Sequence, residues 1–392
     1  MMTDHADSDD NSSDSSYSKV DFYEVMNEVP ENYKGKVDEL NKILQDKNQD
    51  INRLKELAIS DGGLVISLVR REAWKLILNL PSTDEQLYPL EIIKDHPEYH
   101  QVDMDVRRCL KRFPPGISYE KIGVLQKELI TIILSVIKEN PDLKYYQGYH
   151  DVAVTFLIEV GQSEAYSIMK HLSSNHLKEF LKPTMEETSY LLLHVFPLIK
   201  KLNPELEEFI EKSGIGTIFA LPWLISWFSH SLDQHSKVVR LFDYFLASPK
   251  EIILYVIAQL IYSRRDEVLN TECDMAGVHT VLSKIPESLN FEIILDEATK
   301  MHKEYDLSNV KDEVDERVKQ EAKLLKDQRD ENAKRKKDKK FARDREHQEQ
   351  PAFNRAFRYV PIWIRPRMRF GLLFFGFSLA AGLWAVFKSN NN

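Results

Sequence analysis

Apolar positions near the N-terminus follow the spacing of an amphipathic helix. Spacings of three, four and seven residues place them on one helical face, and they are Val37, Leu40, Ile43, Leu44, Ile51, Leu54 and Leu57. Asp61-Gly62-Gly63 ends the pattern, because glycine and aspartate favour turns. We therefore predict an N-terminal helical extension over residues 21–61 that packs on the main domain rather than forming a separate partner-binding coil.

Leucine and isoleucine keep helical periods from Leu64 to about Arg265, and the alternating patterns typical of strands are scarce. Prolines interrupt this region at short intervals, and a residue before proline is biased away from the helical conformation. Short helices joined by brief turns predict an all-α fold for a domain over residues 62–300.

The chain changes character after this domain. Residues 301–350 are strongly charged with few apolar positions, which predicts a solvated, partly helical linker held by charge pairs four residues apart. Residues 351–369 mix aromatic side chains with arginines, as segments at a membrane interface do.

Residues 370–387 carry no charge. As a helix they would reach roughly 27 Å, close to the thickness of the endoplasmic reticulum bilayer. We predict a transmembrane helix here, with a short tail over residues 388–392. Basic residues are in excess before the span, so the main body is expected in the cytosol as a single-pass, tail-anchored protein. A re-entrant hairpin is the alternative topology.

Composition narrows the functional classes. The formal net charge of −9 argues against nucleic acid as a partner. Two cysteines, Cys109 and Cys273, lie far apart and form no C-x-x-C, so the sequence suggests neither a zinc ribbon nor a redox pair. Residues 1–20 are rich in serine and aspartate, which predicts a disordered acidic tail.

Two short motifs carry the candidate chemistry. The first reads Val102-x-x-Asp105-x-x-Arg108, and the second reads Tyr145-x-Gln147-Gly148. An arginine supplies a planar, permanently charged fork for phosphate oxygens. A glutamine can hold an attacking water, because its amide both donates and accepts hydrogen bonds. The alternative for the first motif is a solvated basic helix face.

These motifs resemble those of TBC-domain Rab GTPase-activating proteins, which carry I-x-x-D-x-x-R and Y-x-Q-G. Two further family elements are present, V-R-R-E-A-W at Val69–Trp74 and L-P-W-L-I-S-W-F at Leu221–Phe228. All four motifs occur in the family order, over about half of the chain. The resemblance implies an all-helical TBC domain of two subdomains.

The resemblance assigns the catalytic roles. It implies that Arg108 is an arginine finger and Gln147 a glutamine finger, both supplied in trans to the GTPase. Asp105 would hold the guanidinium before the partner arrives. Arg107 is the rival arginine, which the residues alone do not exclude, although the family spacing favours Arg108.

Other positions of the same motifs are expected to support the fingers. Gly148 allows a close backbone approach, Tyr145 packs, and Asp151 orders the loop. The chain departs from the family pattern at Cys109, where threonine or serine is usual, and at His150, where asparagine is common.

By resemblance the chain is a Rab GTPase activator rather than an enzyme with its own reaction. The combination with a C-terminal span resembles the endoplasmic-reticulum branch of the family, which implies Rabs of endoplasmic-reticulum-to-Golgi transport. The location is then expected to be the endoplasmic reticulum or early Golgi membrane. No G-x-x-x-x-G-K-[ST] occurs, so no cofactor is expected, and GTP and Mg²⁺ belong to the partner Rab. The alternative functions are a non-catalytic Rab-binding module and a membrane tether.

Overall fold

A computed structural model describes residues 27–81, 86–109 and 119–348 of the 392-residue chain. Every regular element in these ranges is a helix, which confirms the all-α prediction. The predicted acidic tail at residues 1–20 and the whole region from residue 351 onward lie outside the described residues, and this includes the predicted anchor. Among the described helices, none combines the length and the apolar character that crossing a bilayer requires.

The described ranges contain eighteen α-helices and two short 3-10 turns, Glu31–Tyr33 and Leu307–Val310. The helices are α1 Lys34–Gln45, α2 Ile51–Ile59, α3 Ser67–Ile77, α4 Leu90–Ile93, α5 Tyr99–Arg108, α6 Tyr119–Glu139, α7 Tyr149–Val160, α8 Gln162–Ser174, α9 Glu186–Leu193, α10 Val195–Leu202, α11 Pro204–Lys212, α12 Leu221–Ile225, α13 His235–Ala247, α14 Ile252–Ser263, α15 Arg265–Leu269, α16 Met275–Leu282, α17 Phe291–Glu304 and α18 Lys311–Gln348.

The described residues up to Arg317 form one compact unit, and the described residues from Val318 form a second. In the first unit, α5, α6, α7 and α8 pack together as one set of helices, and α10, α11, α14 and α17 pack as another. Helix α13 contacts α2 and α3. The division into two subdomains that the family resemblance implies stays a prediction.

Two helices are buried on all sides. All twelve residues of α7 are buried, and α14 is buried from Ile252 to Ile261. Most of these side chains are apolar, and a helix with apolar side chains on every face is stable inside a core. The second candidate motif directly precedes α7, so it stands at the end of a rigid, buried element.

The N-terminal extension is two helices where the apolar spacing predicted one face of a single helix. Asp46 follows α1 and accepts a hydrogen bond from the Asn48 backbone N–H at 2.9 Å, which turns the chain. Asp50 then caps α2 by accepting from the Arg53 N–H at 3.0 Å. Helix α1 packs on α3, and α2 packs on α13.

The charged segment also differs from its prediction as a linker beginning at residue 301. Val310 and Val314 are buried, and Arg317 forms ion pairs with Glu207 and Glu211. The Arg317 guanidinium also lies over the Phe196 ring. The segment is therefore part of the compact unit as far as Arg317. From Val318, every side chain that the structure describes is exposed, as a solvated helix would be.

Candidate functional site

Arg108 is the last residue of α5, at the surface of the domain. Val102 and Val106 of the same helix are completely buried and fix its orientation. Asp105 is only 2% exposed, whereas the Arg108 side chain is 73% exposed. Residues three apart on a helix are neighbours, and Arg108 Nη1 lies 3.8 Å from Asp105 Oδ1. Helix α5 therefore presents an accessible guanidinium beside a buried carboxylate.

The neighbouring Arg107 is held differently. Its Nε donates to Asp103 Oδ2 at 2.8 Å, and this hydrogen bond raises the pKa of the guanidinium. Arg107 is thus paired with a surface carboxylate one helical turn away, while Arg108 lies beside Asp105, which faces the second motif. Arg108, and not Arg107, therefore lies beside the carboxylate that is bonded to the second motif.

Asp105 joins the two motifs. Its Oδ2 accepts hydrogen bonds from Gln101 Nε2 at 3.0 Å and from the Tyr145 hydroxyl at 3.1 Å. Burial, and then the charge of Asp105, raise the pKa of the Tyr145 hydroxyl, which therefore stays a proton donor. The Tyr145 backbone N–H also donates to Glu98 Oε2 at 2.9 Å. Tyr145 is consequently a polar connector between α5 and the glutamine segment, where the sequence suggested a packing residue.

Gln147 occupies an exposed turn immediately before α7. Within the described part of the chain its side-chain amide has no hydrogen-bond partner, so it can serve a ligand. Gly148 follows with φ +115°, a conformation that L side chains rarely adopt. An added Cβ would lie 3.6 Å from Ile225 Cγ1, an ordinary contact. The backbone conformation, rather than crowding, therefore requires glycine at this turn.

Asp151 fixes the start of α7. It is buried in the first helical turn, where the helix dipole favours a negative charge. Its Oδ2 lies 2.9 Å from His230 Nδ1 and 3.6 Å from His150 Nε2. The predicted ordering role of Asp151 thus involves two histidines, one of which comes from a distant segment.

His230 lies two residues after the motif at Leu221–Phe228, called the P-W segment from here on. The link between the P-W segment and the glutamine turn is a feature that sequence reasoning missed. The Tyr146 hydroxyl donates to the Ile225 carbonyl oxygen at 2.8 Å, across 79 positions of sequence. Trp227 and Phe228 adopt positive φ angles of 50° and 64°, which turn the chain sharply after α12. The P-W segment therefore holds the glutamine turn through the Tyr146–Ile225 hydrogen bond.

The V-R-R-E-A-W element contributes Val69, Arg70 and Trp74 to the core. Asp243 accepts from Arg70 Nη2 at 3.1 Å, from Trp74 Nε1 at 2.8 Å and from the Leu64 N–H at 3.0 Å. Arg70 is fully buried, and the Asp243 and Glu159 carboxylates raise the pKa of its guanidinium against the opposing effect of burial. Asp243 was not identified from the sequence, because it belongs to none of the four motifs.

His235 pairs with a buried carboxylate of the core. Its Nε2 lies 2.7 Å from Glu159 Oε1, and the Glu159 carboxylate also accepts from the Ser67 hydroxyl at 2.8 Å. These bonds, with the nearby Arg70 charge, lower the pKa of Glu159 despite the opposing effect of burial.

Residues 67–269, just over half of the chain, match the family model described as the Rab-GTPase-TBC domain. This chain belongs to the RabGAP-TBC family. The matched range contains both candidate fingers and both structural motifs. It also lies entirely within the compact unit that ends at Arg317.

Curated RabGAP-TBC relatives and one solved structure agree with this assignment. The chain is 44% identical over 266 residues to TBC1 domain family member 20 of Homo sapiens, covering 68% of this chain and 66% of that protein, just under two thirds of its length. It is 30% identical to the GTPase-activating protein gyp10 of Schizosaccharomyces pombe, over 62% of this chain and 66% of that protein. The crystal structure of the Ypt/Rab-GAP domain of Gyp1p superimposes with a TM-score of 0.57 at 18% identity, covering 69% of this chain and 99% of that domain. That likeness shows the shared all-helical fold.

The two candidate fingers thus stand on supports that are bonded to each other. Arg108 is exposed at one end of the Asp105–Tyr145 hydrogen bond, and Gln147 is exposed two residues after Tyr145. A guanidinium and a primary amide presented on one connected support can bind phosphate oxygens and a water at the same time.

Proposed function

We propose that this RabGAP-TBC domain accelerates GTP hydrolysis by a Rab, with Arg108 and Gln147 acting in trans. The observation that carries the proposal is the Asp105–Tyr145 hydrogen bond at 3.1 Å, which couples the supports of two exposed, chemically suited side chains. Arg108 would stabilise the charge that develops on the γ-phosphate oxygens in the transition state. Gln147 would orient the attacking water.

The supporting residues have separate tasks in this proposal. Asp105 holds the Arg108 guanidinium loosely, at 3.8 Å, so that the guanidinium can leave for a phosphate without breaking a tight ion pair. Gly148 sets the turn that projects Gln147, and Asp151 links the start of α7 to His230. GTP and Mg²⁺ come with the Rab in its GTP-bound state, and this chain supplies no cofactor of its own.

The test is single-turnover GTP hydrolysis by a panel of purified Rabs with the full-length chain. Arg108→Ala is expected to reduce acceleration by roughly 10³-fold or more, the usual contribution of an arginine finger. Gln147→Ala should also reduce it strongly, whereas the matched control Arg107→Ala should stay close to the unaltered protein. Retained Rab binding with no acceleration by the intact protein would instead favour a non-catalytic binding module.

We further propose that the partner is a Rab of endoplasmic-reticulum-to-Golgi transport, and that residues 370–387 anchor the chain in the endoplasmic reticulum or early Golgi membrane. The uncharged run and the basic residues before it support the anchor. Confinement to the Rab's membrane would raise the rate of encounter without changing the chemical step. Deleting residues 370–392 should therefore lower activity on liposome-tethered Rab but leave activity on soluble Rab unchanged. Equal activity of both forms on liposomes would contradict the anchor's role, and loss of soluble activity would favour a tether.

A further inference from the structure

Three potential metal ligands meet where the two finger segments approach each other. Cys109, His150 and Asp151 are all buried, and each offers one ligand atom within 4.8 Å of the others. Cys109 directly follows Arg108 at the end of α5, while His150 and Asp151 lie in the first turn of α7. The three donors therefore come from both finger segments.

Hydrogen bonding selects the donor atom of His150. The Tyr145 hydroxyl gives its only proton to Asp105 Oδ2, so it accepts from His150 Nδ1, which lies 2.7 Å away. Nδ1 therefore carries a proton, and a neutral His150 ring has its lone pair on Nε2. Histidines that bind metals commonly donate their other ring N–H to a partner in this way.

Nε2 lies beside a second potential ligand. The distance from Nε2 to Asp151 Oδ2 is 3.6 Å, and both side chains are more than nine-tenths buried. An imidazole nitrogen and a carboxylate oxygen are both ligands that Zn²⁺ binds. The nearby Cys109 thiol adds a soft ligand, which distinguishes this site from one suited to Mg²⁺ or Ca²⁺.

We propose that Cys109, His150 and Asp151 bind Zn²⁺ or a similar borderline divalent ion, which links the end of α5 to the start of α7. Bond lengths of about 2.0–2.3 Å place the ligand atoms of a tetrahedral zinc site roughly 3.3–3.8 Å apart. Closing the site from 4.8 Å thus needs a movement of about 1 Å. A water would complete the coordination, while His230, whose Nδ1 donates to Asp151 Oδ2 at 2.9 Å, would orient the Asp151 ligand.

The charges of this site balance when the ion is bound. Zn²⁺ displaces the Cys109 thiol proton to solvent, and the resulting thiolate and the Asp151 carboxylate neutralise its two charges. The ion would connect the residue after Arg108 to the residues three and four positions after Gln147. Metal binding would thereby hold the two finger supports together before a partner arrives. Metal binding can be measured without a Rab, so the result of that measurement does not depend on the proposed function.

The experiment titrates the chelator-treated, full-length chain with Co²⁺ and then with Zn²⁺. One equivalent of Co²⁺ should give a thiolate-to-metal charge-transfer band that Zn²⁺ abolishes, and Zn²⁺ should raise the melting temperature. Cys109→Ser should lose both responses. His150→Asn should weaken metal binding by at least about tenfold. Replacing a residue that only supports a metal ligand already weakens binding by about 10- to 100-fold, and His150 would be a ligand itself.

Cys273→Ser is the decisive control, because the chain contains only two cysteines and Cys273 is exposed. A band that persists in Cys273→Ser must come from Cys109, so this conclusion holds even where Cys109→Ser does not fold. No charge-transfer band in the folded, unaltered protein would overturn the proposal. A band that is lost in Cys273→Ser would overturn it as well.

Discussion

The Tyr145 hydroxyl offers a sharp test of how the candidate site works. Tyr145→Phe removes one oxygen atom, which bridges Asp105 at 3.1 Å and His150 at 2.7 Å. The ring, its packing and the backbone hydrogen bond to Glu98 are kept. The substitution therefore breaks the polar connection between the two finger segments and little else.

The expected magnitudes follow from these contacts. Leaving a buried His150 N–H without a partner costs about 1–3 kcal/mol of stability. The Asp105 carboxylate still accepts a hydrogen bond from Gln101, so it stays near its position. The Arg108 guanidinium beside it should therefore shift slightly rather than move away. A misplacement of about 1 Å can cost roughly 10²-fold in rate. We therefore expect kcat/KM for Rab GTP hydrolysis to fall by about 10- to 100-fold, equivalent to about 1.4–2.7 kcal/mol.

The matched control is Tyr149→Phe, in the next turn of the chain. The Tyr149 hydroxyl bonds the Ser173 hydroxyl of α8 at 2.7 Å, so this bond does not join α5 to the glutamine turn. Both variants should have a lower melting temperature than the unaltered protein. Only Tyr145→Phe should lose more activity than the decrease in folded protein explains. Equal activity of the two variants, measured by single-turnover hydrolysis well below their melting temperatures, would refute the positioning role of Tyr145.

Three further perturbations test the fold and the glutamine turn. Asp243→Ala leaves the Trp74 N–H unpaired and leaves Arg70 with the Glu159 carboxylate at 3.8 Å in place of its hydrogen-bonded partner, so the free energy of unfolding measured in urea should fall by about 3–5 kcal/mol. A loss under about 1 kcal/mol would contradict the contribution of the cluster. Gly148→Ala must adopt φ +115°, so we expect a stability loss of about 1–3 kcal/mol and weaker activation, and an unchanged urea midpoint would argue against this strain. Burial lowers the pKa of His176 from 6.5 to about 4, so the fold favours the neutral ring. Stability should be complete above pH 6.5 and should fall towards pH 4, and His176→Gln should flatten urea midpoints measured across that range.

The sequence predicted those features that periodicity and short motifs encode. Helical spacing identified the all-α domain, and the exposed positions of Arg108 and Gln147 suit the roles that the motifs imply, which stay predictions. Side-chain pairs across long separations were not predictable, because no local pattern relates Tyr146 to Ile225 or Trp74 to Asp243. Each of these pairs depends on which helices become neighbours, and that is decided by packing of the whole domain.

Local chemistry accounts for the differences in the helical extension and the charged segment. The apolar stripe from Val37 to Leu57 has the right period, but Asp46 and Asp50 bond to nearby backbone N–H groups and so divide the helix. In the charged segment, Arg317 pairs with the Glu207 carboxylate of α11 and packs on Phe196. The low hydrophobicity of this segment therefore gave no indication that Arg317 packs on the domain, because that contact depends on charge.

The buried position of Asp243 has a consequence for biosynthesis. Its carboxylate binds the Leu64 backbone, 179 positions earlier in the chain. At about 5–20 residues per second, a ribosome needs roughly 10–35 s to synthesise the intervening segment. Throughout that interval the nascent N-terminal helices carry Arg70 and Trp74 without the partner that neutralises and orders them. Completion of this core must therefore await a late part of the domain, and chaperones have a defined period in which to protect the early helices.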